Sequence, residues 1–177
     1  MSLCSHVRRW VLAIMALPLL VGAEEVAILD ASSGSVSAPF VITNGCVCQL
    51  ISREANKGRA VYDFTVTNSG SYVLRGFVNA SAGDANSLLV NIDSEPDDPA
   101  MAWDIPVTAG FTNSLISWRG ESEPASIRIA RKVFKLSEGK HRLILRGNAG
   151  NVQLARIAVL RLPAPPTGLH MTGGPGS

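Results

Sequence analysis

Few side chains in this 177-residue sequence could do covalent chemistry. Of its three His, His6 lies in an apolar N-terminal stretch and His170 in a Pro/Gly-rich C-terminal one, which leaves His141 in the body of the chain. Nucleophilic catalysis needs a Ser, Thr or Cys beside a base that a third group orients. No nucleophile elbow or phosphate-binding loop is present to supply it. A pair of carboxylates cleaving a glycosidic bond is defined by separation in space, which sequence spacing does not set. The residue types as they stand read as a non-enzyme.

Three other groups could bind rather than react. Cys46 and Cys48 form a C-x-C; on a strand both thiols share a face and a bridge between them would be strained. With no His beside them they make no zinc site, and they read as small buried apolar residues. Asp93, Glu95, Asp97 and Asp98 crowd a run that suggests calcium. It lacks the Gly and closing Glu of an EF-hand loop, and two prolines interrupt it, so a solvated loop is expected. Trp103 and Trp118 are the tryptophans outside the N-terminal stretch. Buried aromatics dominate sandwich cores; core packing fits Trp103, while Trp118, followed by Arg119 and a polar loop, reads equally as core or surface.

Residues 1–23 read as a secretory signal peptide: Arg8-Arg9, an apolar run from Trp10 to Leu20, then Val21-Gly22-Ala23. That run is too short for a stable membrane anchor, so no membrane span is expected and the location is secreted, periplasmic or cell-surface. Of the 16 Lys and Arg, two lie in this leader, leaving 14 against 14 Asp and Glu. A near-neutral domain lacks a nucleic-acid footprint.

The elements that must position these residues are strands. From Arg59 to Asp93, Ala60, Tyr62, Phe64 and Val66 alternate with polar residues, then Tyr72, Leu74, Gly76 and Val78, then Leu88, Val90 and Ile92. Period two marks half-buried antiparallel strands. Further strands are expected at Glu24–Asp30, at Ser35–Thr43 (interrupted by Pro39), at Cys46–Ser52, near Trp103 and Trp118, within Ile127–Leu136, at His141–Arg146 and at Val152–Leu162. No stretch has a capped helical period. The expected architecture is one all-β domain over 24–162, an antiparallel β-sandwich of the jelly-roll type, with a disordered Pro/Gly-rich tail over 163–177.

The order of motifs resembles the galactose-binding-like jelly roll of carbohydrate-binding module families 6 and 35. The resemblance rests on Asp30-Ala31-Ser32-Ser33-Gly34, Gly70-Ser71-Tyr72, Asn86-Ser87 through Asp93, Trp103-Asp104, Trp118, Leu136 through His141, and the strand from Val152. It implies sugar binding in loops at one end or edge of the sandwich, with an aromatic on the pyranose face and polar groups reading hydroxyls. Carried onto this chain, Trp118 is the platform and Asn148 its polar partner, although Asn148 between glycines also suits a plain turn. Trp103, Asn86 and Arg119 complete the candidate set. The sequence departs from the family pattern where Cys46–Gln49 replace an aromatic and Phe77 replaces an Arg. Ser32 and Ala155 stand where two calcium ligands belong, so no calcium, and no other cofactor, is expected.

The reading is a secreted, non-catalytic module whose partner is a polysaccharide or glycan. The alternative is a structural or protein-interaction sandwich with a decayed sugar site, whose partner is an exported protein.

Overall fold

The computed structural model describes residues 22–49, 58–81, 86–119, 131–148, 150 and 152–164. Most of the leader, the polar segments 53–57 and 120–125, the expected strand start at 127–130 and the tail beyond 164 lie outside the described residues.

Two antiparallel sheets form the sandwich. The larger contains β1 (Glu24–Asp30), β3 (Phe40–Thr43), β4 (Cys46–Gln49), β6 (Gly70–Ala80), β9 (Thr112–Leu115), β10 (Phe134–Leu136) and β12 (Val152–Arg161). At its centre β12 pairs with β6 along nearly its whole length; β1 and β4 share the other side of β12, and β9 and β10 the other side of β6. The smaller sheet has the order β2 (Ser35–Ser37), β5 (Arg59–Val66), β11 (Gly139–Gly147), β7 (Ser87–Ile92), β8 (Ala102–Asp104).

The alternation read from Arg59 to Asp93 is the inner face of both sheets. Tyr62, Phe64, Tyr72, Leu74, Val78, Leu88 and Val90 all belong to one buried cluster with Trp103, Leu143, Leu145, Leu154 and Ile157. The long segment expected over 35–43 is two strands in different sheets. Pro39, which lacks an N–H for a ladder, stands at the crossing, after a cis Ala38–Pro39 bond.

Glycines allow the sheets to close. A Cβ on Gly76 would lie 2.4 Å from Trp103 Cη2, so the indole fills the space a side chain would take. Gly34 likewise leaves room for the Tyr62 ring, whose hydroxyl donates to Ala31 O at 2.9 Å and ties the turn after β1 to β5.

Cys46 and Cys48 are both buried and unbridged. Burial pushes both thiols above their ordinary range, and each lends its S–H to a local carbonyl. The thiolate is the reactive form. Peptide-resolved labelling at pH 7.5 should therefore modify both cysteines at least tenfold more slowly in native than in urea-unfolded protein. Equal rates would contradict this packing.

Candidate functional site

The five residues singled out in the sequence do not form an open sugar site. Trp103 is 0 % exposed and packs between the sheets. It offers no face to a ligand, which corrects its place among the binding residues. Its Nε1 and the Oδ1 of buried Asn86 have no hydrogen-bond partner among the described residues. Trp118 is half-buried: its Nε1–H donates to Val90 O at 2.9 Å, just past the end of the β7–β8 ladder. Its ring meets Phe134 edge-on at 6.1 Å and carries the Lys132 ammonium 3.7 Å from its centroid. The indole thus seals the sandwich edge, with a cation on the face a sugar would need. Trp118→Ala should cost about 2 kcal/mol from lost packing and an orphaned carbonyl, seen as a lower midpoint in urea. An unchanged midpoint would contradict the sealing role.

Arg119, Asn86 and Asn148 act on the neighbouring chain. Arg119 holds Asp104 through two hydrogen bonds, 2.5 and 2.8 Å, and the hydrogen bond to Asp104 raises the guanidinium pKa further. Asn86 O accepts from Ile105 N at 2.8 Å, and Asn148 Nδ2 donates to Ser87 Oγ at 2.8 Å. Thr108 N donates to Ala80 O, while Ala80 N donates to Thr108 Oγ1, whose hydroxyl donates to Asn79 Oδ1. Of these contacts, those to Asn86, Asn79 and Ala80 tie Ile105 and Thr108, in the segment between β8 and β9 (residues 105–111), to the neighbouring strands.

That segment carries Phe111, 40 % exposed, onto the outer face of the larger sheet. There it stacks on Phe77 at 5.3 Å and 29°. Register places Phe77 in a cross-strand row: Asp30 opposite Arg156, Arg156 opposite Phe77, Phe77 opposite Asn113. The next row is Ile28, Ala158, Arg75, Leu115. The Arg156 guanidinium lies over the Phe77 ring at 4.9 Å, and Arg75 pairs with Glu25 at 3.0 Å. Two clefts meet at Asn113: one of 480 Å³ formed by residues 105–114, and one of 130 Å³ over Phe77, Arg156, Arg75 and Glu25.

This face combines an apolar ring with donors (Arg75, Arg156), acceptors (Glu25, Asp30) and an amide that is both. Its parity was available in the sequence: Tyr72, Leu74, Gly76 and Val78 point inward, so Phe77 points out. Phe111 had no such signal, since residues 105–111 have no period. Two other clefts, on the outer face of the smaller sheet, share Asp63 and Arg142. The rings beside them, Tyr62 and Phe64, are buried.

Of the residues that the resemblance would assign to calcium, Glu25 pairs with Arg75 at 3.0 Å and Ala155 brings no side-chain oxygen. Among the described residues no group of three or more His, Cys, Asp or Glu could hold a metal, and no helix is long and apolar enough to cross a membrane.

No protein-family model matches the sequence, and no curated protein matches it. Solved structures do. A family 35 carbohydrate-binding module from Clostridium thermocellum superposes with a TM-score of 0.54 at 13% identity, over 75% of this chain and 95% of that one. A Podospora anserina GH26-CBM35 β-(1,4)-mannanase gives 0.55 at 13% identity, over 79% of this chain. A Phanerochaete chrysosporium exo-β-1,3-galactanase gives 0.54 at 13%, over 78%. The chain spans 28% and 29% of those two enzymes. The protein thus has the jelly roll of the carbohydrate-binding modules whose motif order it resembles; at this identity the likeness is one of fold.

Proposed function

We propose that the chain is an exported, non-catalytic glycan-binding module that seats a sugar on Phe111 and Phe77, at the outer face of the larger sheet. One observation carries this: the row Asp30–Arg156–Phe77–Asn113, with Phe111 stacked beside it, sets an apolar platform among planar hydrogen-bonding groups. The C–H face of a pyranose is apolar and its hydroxyls both donate and accept, so ring and polar rim suit it together. Positive and negative groups balance on this face, which favours a neutral saccharide over a polyanion. The jelly-roll likeness to a carbohydrate-binding module supports the reading by analogy only. Asn86 and Thr108 tie down the segment that carries Phe111, Arg119 braces Asp104 just before it, and Trp118 holds the adjoining edge. The non-catalytic part rests on the lack of a nucleophile–base pair among the described residues, where His141 is buried and bonded through both ring nitrogens.

A protein-interaction sandwich is the second reading, favoured by Ile28 and Val107, 55% and 59% exposed near the same face. A panel of immobilised plant, fungal and bacterial polysaccharides separates the two. Saturable binding to a neutral glycan supports the first; a blank panel, together with capture of a defined exported protein, supports the second.

A further inference from the structure

His141 lies on β11 with its side chain only 7% exposed, yet both ring nitrogens face acceptors. Nε2 is 2.8 Å from Ser137 O, and Nδ1 is 2.7 Å from Asp93 Oδ2. A carbonyl oxygen and an ionised carboxylate only accept, so both contacts are hydrogen bonds only when each nitrogen carries a proton. Asp93 is itself fixed: Oδ1 accepts from Arg142 N, its own N donates to Arg142 O, and its φ is +65°. Left-handed backbone is unfavourable for an Asp, so these bonds hold a hinge where the chain leaves β7.

From that hinge the 93–101 segment crosses the outer face of the smaller sheet. Glu95 reaches Arg59 at 2.6 Å and Arg146 at 3.3 Å, and hydrogen bonding from Arg59 foremost lowers its pKa. Leu89 and Ile144 point outward by parity but are buried, as is Pro96. Asp93, Asp63, Lys140 and Arg142 also line a cleft of 610 Å³ against His141.

We infer that His141 and Asp93 form a proton-dependent latch that seats the 93–101 segment on the smaller sheet and shapes the cleft beside it. A neutral ring carries one proton and can keep only one of the two contacts; the other becomes two facing lone pairs, so the ring's two-point hold between Ser137 and Asp93 is lost. The surrounding charges are Asp93 directly, Asp63 on β5 bonded to Arg142, Lys140 on β11 and Glu138 in the preceding turn. Phe64 supplies a ring contact at 5.7 Å. Burial pushes the imidazole pKa down, but the bonds to Ser137 O and Asp93 outweigh it and leave the group above its ordinary 6.5. A raised folded-state value gives stability that is fully present below pH 6.5 and is lost as pH rises through that higher value.

The test is a pH titration of the full chain from 6 to 9, following the imidazole nitrogens by NMR and amide exchange over 93–101, corrected for the intrinsic rate. The ring should lose its second proton only above the ordinary imidazole value of 6.5, and corrected exchange in the segment should rise in step with that loss. In His141→Gln that rise should vanish. A ring that titrates at or below 6.5, or a segment that opens equally with pH in wild type and His141→Gln, overturns the latch. Should His141→Gln not fold, the wild-type nitrogen titration decides alone.

Discussion

Gly76→Val should destabilise the fold severely. The new Cβ would start 2.4 Å from Trp103 Cη2, and the indole has no route out, being wholly enclosed between the sheets. Overpacked cores lose about 1–3 kcal/mol and occasionally more. A β-branched residue against a ring that cannot move belongs at the upper end, about 3 kcal/mol or roughly 10 °C in midpoint. A melt followed by near-UV circular dichroism, which reports Trp103 packing, checks this. A midpoint within 2 °C of wild type would mean that the strand and indole are not apposed as described.

Phe111→Ala and Phe77→Ala should have the largest effect on binding. Phe111 is the more exposed ring and lies on a pinned segment, so its removal deletes platform without touching the core. Each truncation should weaken binding of the selected glycan about tenfold, near 1.4 kcal/mol. The melting midpoint should stay near wild type, because neither ring belongs to the main buried cluster. The double variant should bind no measurable glycan by calorimetry. Full affinity in Phe111→Ala would remove the platform from the account; an equal loss in Trp118→Ala with no loss of stability would move it to the sandwich end.

Much of the fold was legible in the sequence because period-two alternation is local. Ala60 to Val66 and Tyr72 to Val78 declare which face is buried without reference to their partners. The change of sheet at Pro39 was less legible: the second half pairs with β4 directly across the Asn44-Gly45 turn, but β5, the partner of the first half, lies further along the chain. The site was harder still. Sequence context leans Trp103 toward the core and leaves Trp118 open; what decides them is Gly76 on a facing strand and Val90 and Lys132, none adjacent in the chain. Phe77 was visible by parity but read as a missing Arg. That Arg156 lies over its ring follows only from the pairing of β6 with β12.

The central claim is tested most directly by an ¹H–¹⁵N titration of the protein with a neutral oligosaccharide chosen from the polysaccharide panel. The account predicts fast-exchange shifts concentrated at Phe77, Phe111, Asn113 and Arg156, with the tryptophan indole signals nearly still. Shifts centred on Trp118 and Asn148, or no shift with any saccharide at millimolar concentration, would contradict it.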